Sequence, residues 1–242
     1  MIRFTTAGES HGRAIITILE GVPAGLPLAA SDIDADLARR MLGHGRGARM
    51  KLESDRVEIL SGVRSGETIG SPITLVVENH DYENWRDVMA VEASAEPPRR
   101  RFRRPRPGHA DLVGTLKYDR RDARDVLERA SARETAGRVA AGAVCRRLLS
   151  EFGVEIGSHV VSLGGIDAKL PSPLPEPLNP AADRSPVRCL DARAGAEMVM
   201  RIDAAKAAGD TLGGVDVHPR GEGRRDRPRL QRLAGAGLPD AR

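Results

Sequence analysis

A chain of 242 residues can bury a sizeable core as one large domain or two small ones. Only 2% of its residues are aromatic, so that core must be built from Ala, Val, Leu and Ile. Its 38 basic and 34 acidic residues leave a net charge of +4, a mild bias that suits an acidic or phosphorylated ligand as well as it suits nucleic acid.

Cys145 and Cys189 are isolated, with neither metal-ligand spacing nor a disulfide framework. No metal site is expected. A reducing compartment is the simplest reading. Arg3 and Glu9 bracket too few apolar residues for a signal segment, and no apolar run approaches the length of a bilayer span. A soluble cytoplasmic protein is expected.

In chain order, residues 2–7 and 14–19 read as two short strands around Gly8-Glu9-Ser10-His11-Gly12. That loop puts Ser10 and His11 at a strand end, where side chains can face a ligand. Ser31 reads as the cap of a helix whose stripe is Ile33, Leu37 and Met41. Gly43-His44-Gly45-Arg46-Gly47 breaks that helix, and its glycines allow a ligand close approach, with Arg40 and Arg46 as cationic arms. Complementing the helix C-terminus explains Arg39 and Arg40 equally well. Residues 56–64 and 72–78 read as antiparallel strands, and Asn79 to Arg86 as a polar surface loop with one tryptophan.

Residues 92–107 form a basic loop; six of the eight from Arg99 to Arg106 are arginine, a pattern usually disordered and solvated. Ser131-Ala132-Arg133-Glu134 is an S-x-x-E capping box: Ser131 accepts from the N–H of Glu134, and Glu134 reaches back to that of Ser131. Ala136, Val139, Ala140, Ala143, Val144 and Leu148 continue as a helix that Gly153 can stop. Free N–H groups at such a helix mouth suit an anion, and Arg129 and Arg133 flank it. Prolines at 171, 173, 175, 177, 180 and 186 make 170–187 a linker or exposed loop. A further helix lies around 196–208. Gly209 ends it and should lead into a strand, which the Arg/Gly/Pro-rich residues 216–242 do not deliver. That tail is expected to be disordered.

Four blocks in order carry a resemblance. They are Gly8-Glu9-Ser10-His11-Gly12 closing on Glu20-Gly21-Val22-Pro23, then Arg106-Pro107-Gly108-His109-Ala110-Asp111, then Glu128 to Gly142, and Gly209 to Val215. Together they resemble the signatures of the chorismate synthase family over residues 1–215. The resemblance implies an α+β fold, a β-α-β sandwich of antiparallel sheets around central helices, assembled as a homotetramer. It implies a lyase of the shikimate pathway, converting 5-enolpyruvylshikimate 3-phosphate to chorismate and phosphate by anti 1,4-elimination with reduced FMN (FMNH2) and no net redox change. His11 would protonate the departing phosphate, and His109 would protonate or hydrogen-bond the reduced flavin. Imidazole suits both tasks, with its free pKa close to neutrality.

The same resemblance puts Arg129, Ala130 and Ser131 on FMN. It puts Arg40 and Arg46 on NADP (NADPH) or the substrate phosphate, and Ser10 and Arg133 on the substrate. Several arginines suit a ligand with a phosphate and two carboxylates. The family's third signature, with its arginine and aspartate, has no match in 216–242. The fold is therefore expected to be incomplete at the C-terminus, with a truncated, frame-shifted or divergent end, and no role passes to Asp226 or Asp240. Two other readings are a catalytically inactive fragment of that enzyme and a nucleic-acid binder working through Arg99 to Arg106. The second leaves the histidine motifs unexplained.

Overall fold

The computed structural model describes residues 1–46, 54–93 and 100–217. These fall into two compact units, residues 1–40, 54–93 and 100–147 in the first and 41–46 and 148–217 in the second. Expectations for Gly47, Arg99 and the tail beyond 217 lie outside the described residues. Among those described, no helix is long and apolar enough to cross a membrane.

The first unit is built on a four-stranded antiparallel sheet. Strands β1 (Arg3–Ala7), β2 (Ala14–Glu20), β3 (Val57–Ser61) and β6 (Ile73–Glu78) lie in the order β1-β2-β6-β3. Register explains the buried face: Ile15 opposes Val77, Thr17 opposes Leu75 and Leu19 opposes Ile73. All six side chains are buried, as the period of two requires. Two short strands, β4 (Val63–Arg64) and β5 (Glu67–Thr68), pair in the β3–β6 connection.

Helix α4 (Thr135–Glu151) packs on this face through small residues. A Cβ on Gly137 would come within 2.7 Å of Thr17 Oγ1 and 2.9 Å of Ile15 Cγ2. Thr17 Oγ1 also donates to the Gly137 carbonyl at 3.1 Å. Alanines 136, 140, 141 and 143 are buried beside it, so small side chains let the helix lie close on its sheet.

Helix α1 (Ala30–Met41) starts one residue before the expected Ser31 cap. Asp32 reaches back to accept from the Ala29 N–H at 2.8 Å, and this contact sets the start in place of the serine. Helices α2 (Asp111–Tyr118) and α3 (Arg124–Arg129) precede α4, and a 3-10 turn, Ala132–Glu134, opens onto it. Gly114 lets α2 and α3 meet: a Cβ there would overlap the Val126 side chain.

In the second unit β8 (Ile166–Asp167), β7 (His159–Leu163) and β9 (Gly214–Val217) form an antiparallel sheet. Helix α6 (Ala192–Ala208) is capped by Asp191, which accepts from the N–H groups of Arg193 and Ala194 at 3.0 and 3.1 Å. Gly209 ends it in the left-handed region. Val187, Cys189, Ala194 and Met198 form the buried core of this unit, with Val160, Leu163 and Ile202 against them.

Two expectations need correction here. The proline-rich stretch is not wholly a loop, for α5 (Leu178–Asp183) forms inside it, with Pro180 in a first turn whose N–H groups lack helical partners anyway. The strand expected after Gly209 does form: β9 carries the pairing to Asp216 and Val217, past the boundary at 215.

Candidate active site

The loop from Gly8 to Gly12 is held in place before any ligand is considered. Gly8 has φ +99°, and a Cβ there would overlap the Ala14 carbonyl oxygen. Asn79 Nδ2 donates to the carbonyls of Glu9 and Gly12 at 3.0 and 2.7 Å, and its Oδ1 accepts from Arg133 Nε at 2.6 Å. Asn79 was expected in a surface loop. It is buried instead, and a 3-10 turn, His80–Trp85, follows it. Its amide offers donors and an acceptor at once, as joining this loop to an arginine requires.

His11 is held on two sides. Its Nδ1 lies 2.9 and 3.0 Å from the Glu128 carboxylate oxygens, and its backbone N–H donates to Oε2 at 2.9 Å. Trp85 stacks on the imidazole, with ring centroids 3.9 Å apart and an interplanar angle of 30°. Glu128 is buried and also accepts from Arg124 at 2.9 Å. Burial alone would raise its pKa; the hydrogen bonds from the His11 side chain and backbone, and from Arg124, outweigh burial and hold it below the usual value. Arg100 and Arg124 place their guanidinium groups 4.5 and 5.0 Å from the Trp85 ring centroid. The described part of the basic run is therefore held at Arg100 and Phe102, while Arg101, Arg103 and Arg104 are exposed. Arg100 and Phe102 accept from Arg124 and Ala123 through their carbonyls, and the Phe102 N–H donates to Asp122.

His109 sits in a second cluster. Its Nδ1 makes a short contact with Asp111, and Arg106 Nη2 lies 3.0 Å from both ring nitrogens. Arg106 also donates to Asp111 through its backbone N–H and Nε, each at 3.0 Å. A neutral ring with its proton on Nδ1 satisfies both neighbours: Asp111 accepts that proton, and Nε2 accepts from Arg106. The Arg106 side chain is the main cause that holds the Asp111 carboxyl down to about 2. Because the folded value is depressed below the ordinary 3.8, the stabilisation is present above that value and is lost as pH falls toward about 2. In urea titrations, the stability difference between the native chain and Asp111→Asn should be flat above about pH 5 and shrink steadily below about pH 4. A difference that stays constant down to pH 2 would contradict the pairing.

His109 lines a cleft of about 620 Å³ together with Arg106, Leu127, Ala130, Ser131, Ala132, Glu134 and Thr135. A neighbouring cavity of about 500 Å³ is bounded by Val113, Tyr118, Val126, Arg129 and Ala130 among others. The cleft opens at the mouth of α4, where the expected capping box does not form. Ser131 Oγ accepts from the Arg133 N–H at 3.3 Å, while Glu134 turns away to Thr6 Oγ1 at 2.7 Å and Arg138 Nε at 2.8 Å. A cation one turn ahead and a hydroxyl from β1 outcompete the backbone N–H.

Of the remaining site candidates, Arg129 donates through Nη2 to the Thr6 carbonyl at 2.8 Å. Ser10 is buried, with its N–H on the Glu128 carbonyl. Arg133 is buried, ion-paired with Asp55, and donates to the Glu78 carbonyl at 2.8 Å. Arg40 donates to Thr135 Oγ1, Asp55 and the Ala132 carbonyl. Both arginines thus brace the turn 132–135 from within. Arg46 Nε donates to the Leu42 carbonyl at 2.9 Å, in the second unit. There His44 also bonds Asp203 at 2.7 Å.

Sequence reasoning named His11, His109, Arg129, Ala130 and Ser131 but gave no role to Glu128, Asp111, Arg106, Asn79, Asp55 or Trp85. A signal existed for two of these. Asp111 stands two residues past a motif histidine, and Trp85 is the sole tryptophan of a chain poor in aromatics.

A family profile described as chorismate synthase matches residues 2–220. Chorismate synthase 1 of Bacillus thuringiensis (strain Al Hakam) is 53% identical over 219 residues, which cover 88% of this chain and 56% of that protein. Chorismate synthase of Geobacillus sp. (strain WCH70) is 54% identical over 217 residues, with the same coverage. A solved structure titled "Crystal Structure of Chorismate Synthase" aligns with a TM-score of 0.69 at 42% identity, over 89% of this chain and 56% of that one. The chain thus spans about half the length of the curated relatives it matches. With the family profile matched over residues 2–220 and relatives 53% and 54% identical over 88% of the chain, the chain belongs to the chorismate synthase family.

Proposed function

We propose that this protein converts 5-enolpyruvylshikimate 3-phosphate to chorismate and phosphate by anti 1,4-elimination, as a chorismate synthase using reduced FMN. The observation that carries the reading is the cleft at the mouth of α4, with His109, Arg106, Ala130 and Ser131 in its wall. These residues fit a flavin mononucleotide. The neighbouring cavity offers apolar wall from Val113, Val126 and Tyr118, and Arg129 adds a cation at its side. Anionic and hydrogen-bonding parts of such a ligand would find Arg106, His109 and Ser131.

Arg129, Ala130 and Ser131 would hold the flavin, with His109 hydrogen-bonding or protonating the reduced ring. Reduced flavin, when bound, supplies electron density that favours departure of phosphate from the substrate. His11 would donate a proton to the leaving phosphate oxygen as the C–O bond breaks, while the ring hydrogen on the opposite face would be lost toward the side where the reduced flavin is held, its C–H electron pair closing the new double bond. Ser10 and Arg133 would shape the substrate's surroundings through the Gly8–Gly12 loop and Asn79. Arg46, with Arg40, is the resemblance's candidate for NADPH or a substrate phosphate. Assembly as a homotetramer follows from the same resemblance.

Incubating the purified chain anaerobically with reduced FMN and substrate, and following chorismate and phosphate release, tests this directly. Equimolar release of both supports it. Neither flavin binding nor turnover would replace it with a non-catalytic chain of the same family.

A further inference from the structure

We propose that Glu128 is a positioning residue for His11, holding the imidazole proton on Nδ1 so that all proton exchange passes through Nε2. This deepens the reading above and rests on it for the link to catalysis. The argument is geometric. Glu128 receives donors from the His11 backbone at 2.9 Å and Arg124 at 2.9 Å, with Nδ1 at 2.9 and 3.0 Å. A carboxylate ringed by donors is an acceptor only, so Nδ1 must carry a proton in both charge states of the ring. Trp85 covers one face at 3.9 Å and is itself held by Asp81, which accepts from Nε1 at 2.9 Å. Edge and face are both constrained: a half-turn flip of the ring would break the carboxylate contact, and any rotation out of the ring plane would break the stack.

The competing role for Glu128 is purely structural, joining the Gly8–Gly12 loop to α3. A carboxamide would serve that role, because its oxygen still accepts the His11 backbone N–H, and the Ser10 N–H uses the Glu128 carbonyl, which any residue supplies. It would not dictate the tautomer, since it offers Nδ1 either a donor or an acceptor. Glu128→Gln therefore separates the two roles.

With the 15N-histidine-labelled chain, long-range proton–nitrogen NMR should show His11 as the single Nδ1–H tautomer when neutral. Glu128→Gln should show both tautomers while the circular dichroism stays native, and Glu128→Asp should restore the single form. Turnover in Glu128→Gln should fall by as much as about 10²–10⁴-fold with KM little changed, the contribution of the positioned general acid that the wrong tautomer would forfeit. A single Nδ1–H tautomer retained in Glu128→Gln overturns the proposal. Mixed tautomers together with full turnover in both Glu128→Gln and His11→Ala would leave Glu128 holding the ring and instead remove His11 from the reaction.

Discussion

Replacing Asp55 by alanine should lower stability by about 3–5 kcal/mol, the range for deleting one partner of a buried ion pair. The Asp55 side chain is fully buried and meets two arginines, Arg133 directly and Arg40 at 3.2 Å. Arg133 is itself only 6% exposed, so the variant strands a cation that water barely reaches. Asn79 Oδ1 and the Glu78 carbonyl, which also accept from Arg133, are neutral and do not replace the Asp55 charge. Urea denaturation at neutral pH measures the effect as a drop in midpoint at constant slope. A loss below about 1 kcal/mol, typical of exposed pairs, would mean that the arginines relax into solvent. Combining Asp55→Leu with Arg133→Met should cost less than Asp55→Ala, because it removes the carboxylate together with the more deeply buried of its two cations and leaves only the less buried Arg40. The defect should also weaken flavin binding, since Arg40 and Arg133 hold the turn that lines the cleft.

His11→Ala should cut turnover by about 10²–10⁴-fold, the usual contribution of a positioned general acid, while leaving affinity for reduced FMN within a few-fold. The asymmetry follows from placement: His11 packs on Glu128 and Trp85, neither of which lines the cleft, whose wall is built from Arg106, His109, Leu127, Ala130 to Ala132, Glu134 and Thr135. Anaerobic phosphate release reads the first quantity and a flavin fluorescence titration the second. Collapse of flavin affinity with His11→Ala would move His11 into the cofactor site and end its assignment as the acid. His109→Ala serves as the contrast, with the flavin affinity expected to fall first.

Much of the fold was legible because its signals are local. Alternation marked β2 and β6, the three-to-four-residue recurrence of Ala and Val marked α4, and glycines marked most of the breaks. The errors fall where a local pattern had a stronger distant competitor. Ser131 and Glu134 have the spacing of a capping box, but Thr6 on β1 lies within 2.7 Å of Glu134 and takes its carboxylate. The arginines in the described part of the basic run are exposed, as read, but Trp85, Asp111 and Asp122 hold Arg100, Arg106 and Phe102, and none of these partners adjoins the run in the pattern that prompted the reading.

The motif residues were likewise legible as types but not as partners. His11 and His109 stand in blocks that resemble a family, and the chain proves to belong to it. That His11 meets Glu128, 117 positions away, and that Asp55 meets Arg133, 78 positions away, required the folded chain. Among 34 acidic and 38 basic residues, periodicity and spacing are silent about which carboxylate meets which cation. Such pairs are chosen by how the sheet and α4 bring their ends together, with the low dielectric of the interior then making each choice matter. Composition, period and punctuation determined the elements and the chemical types at the site. Packing alone decided which of those side chains brace it and which face the cleft.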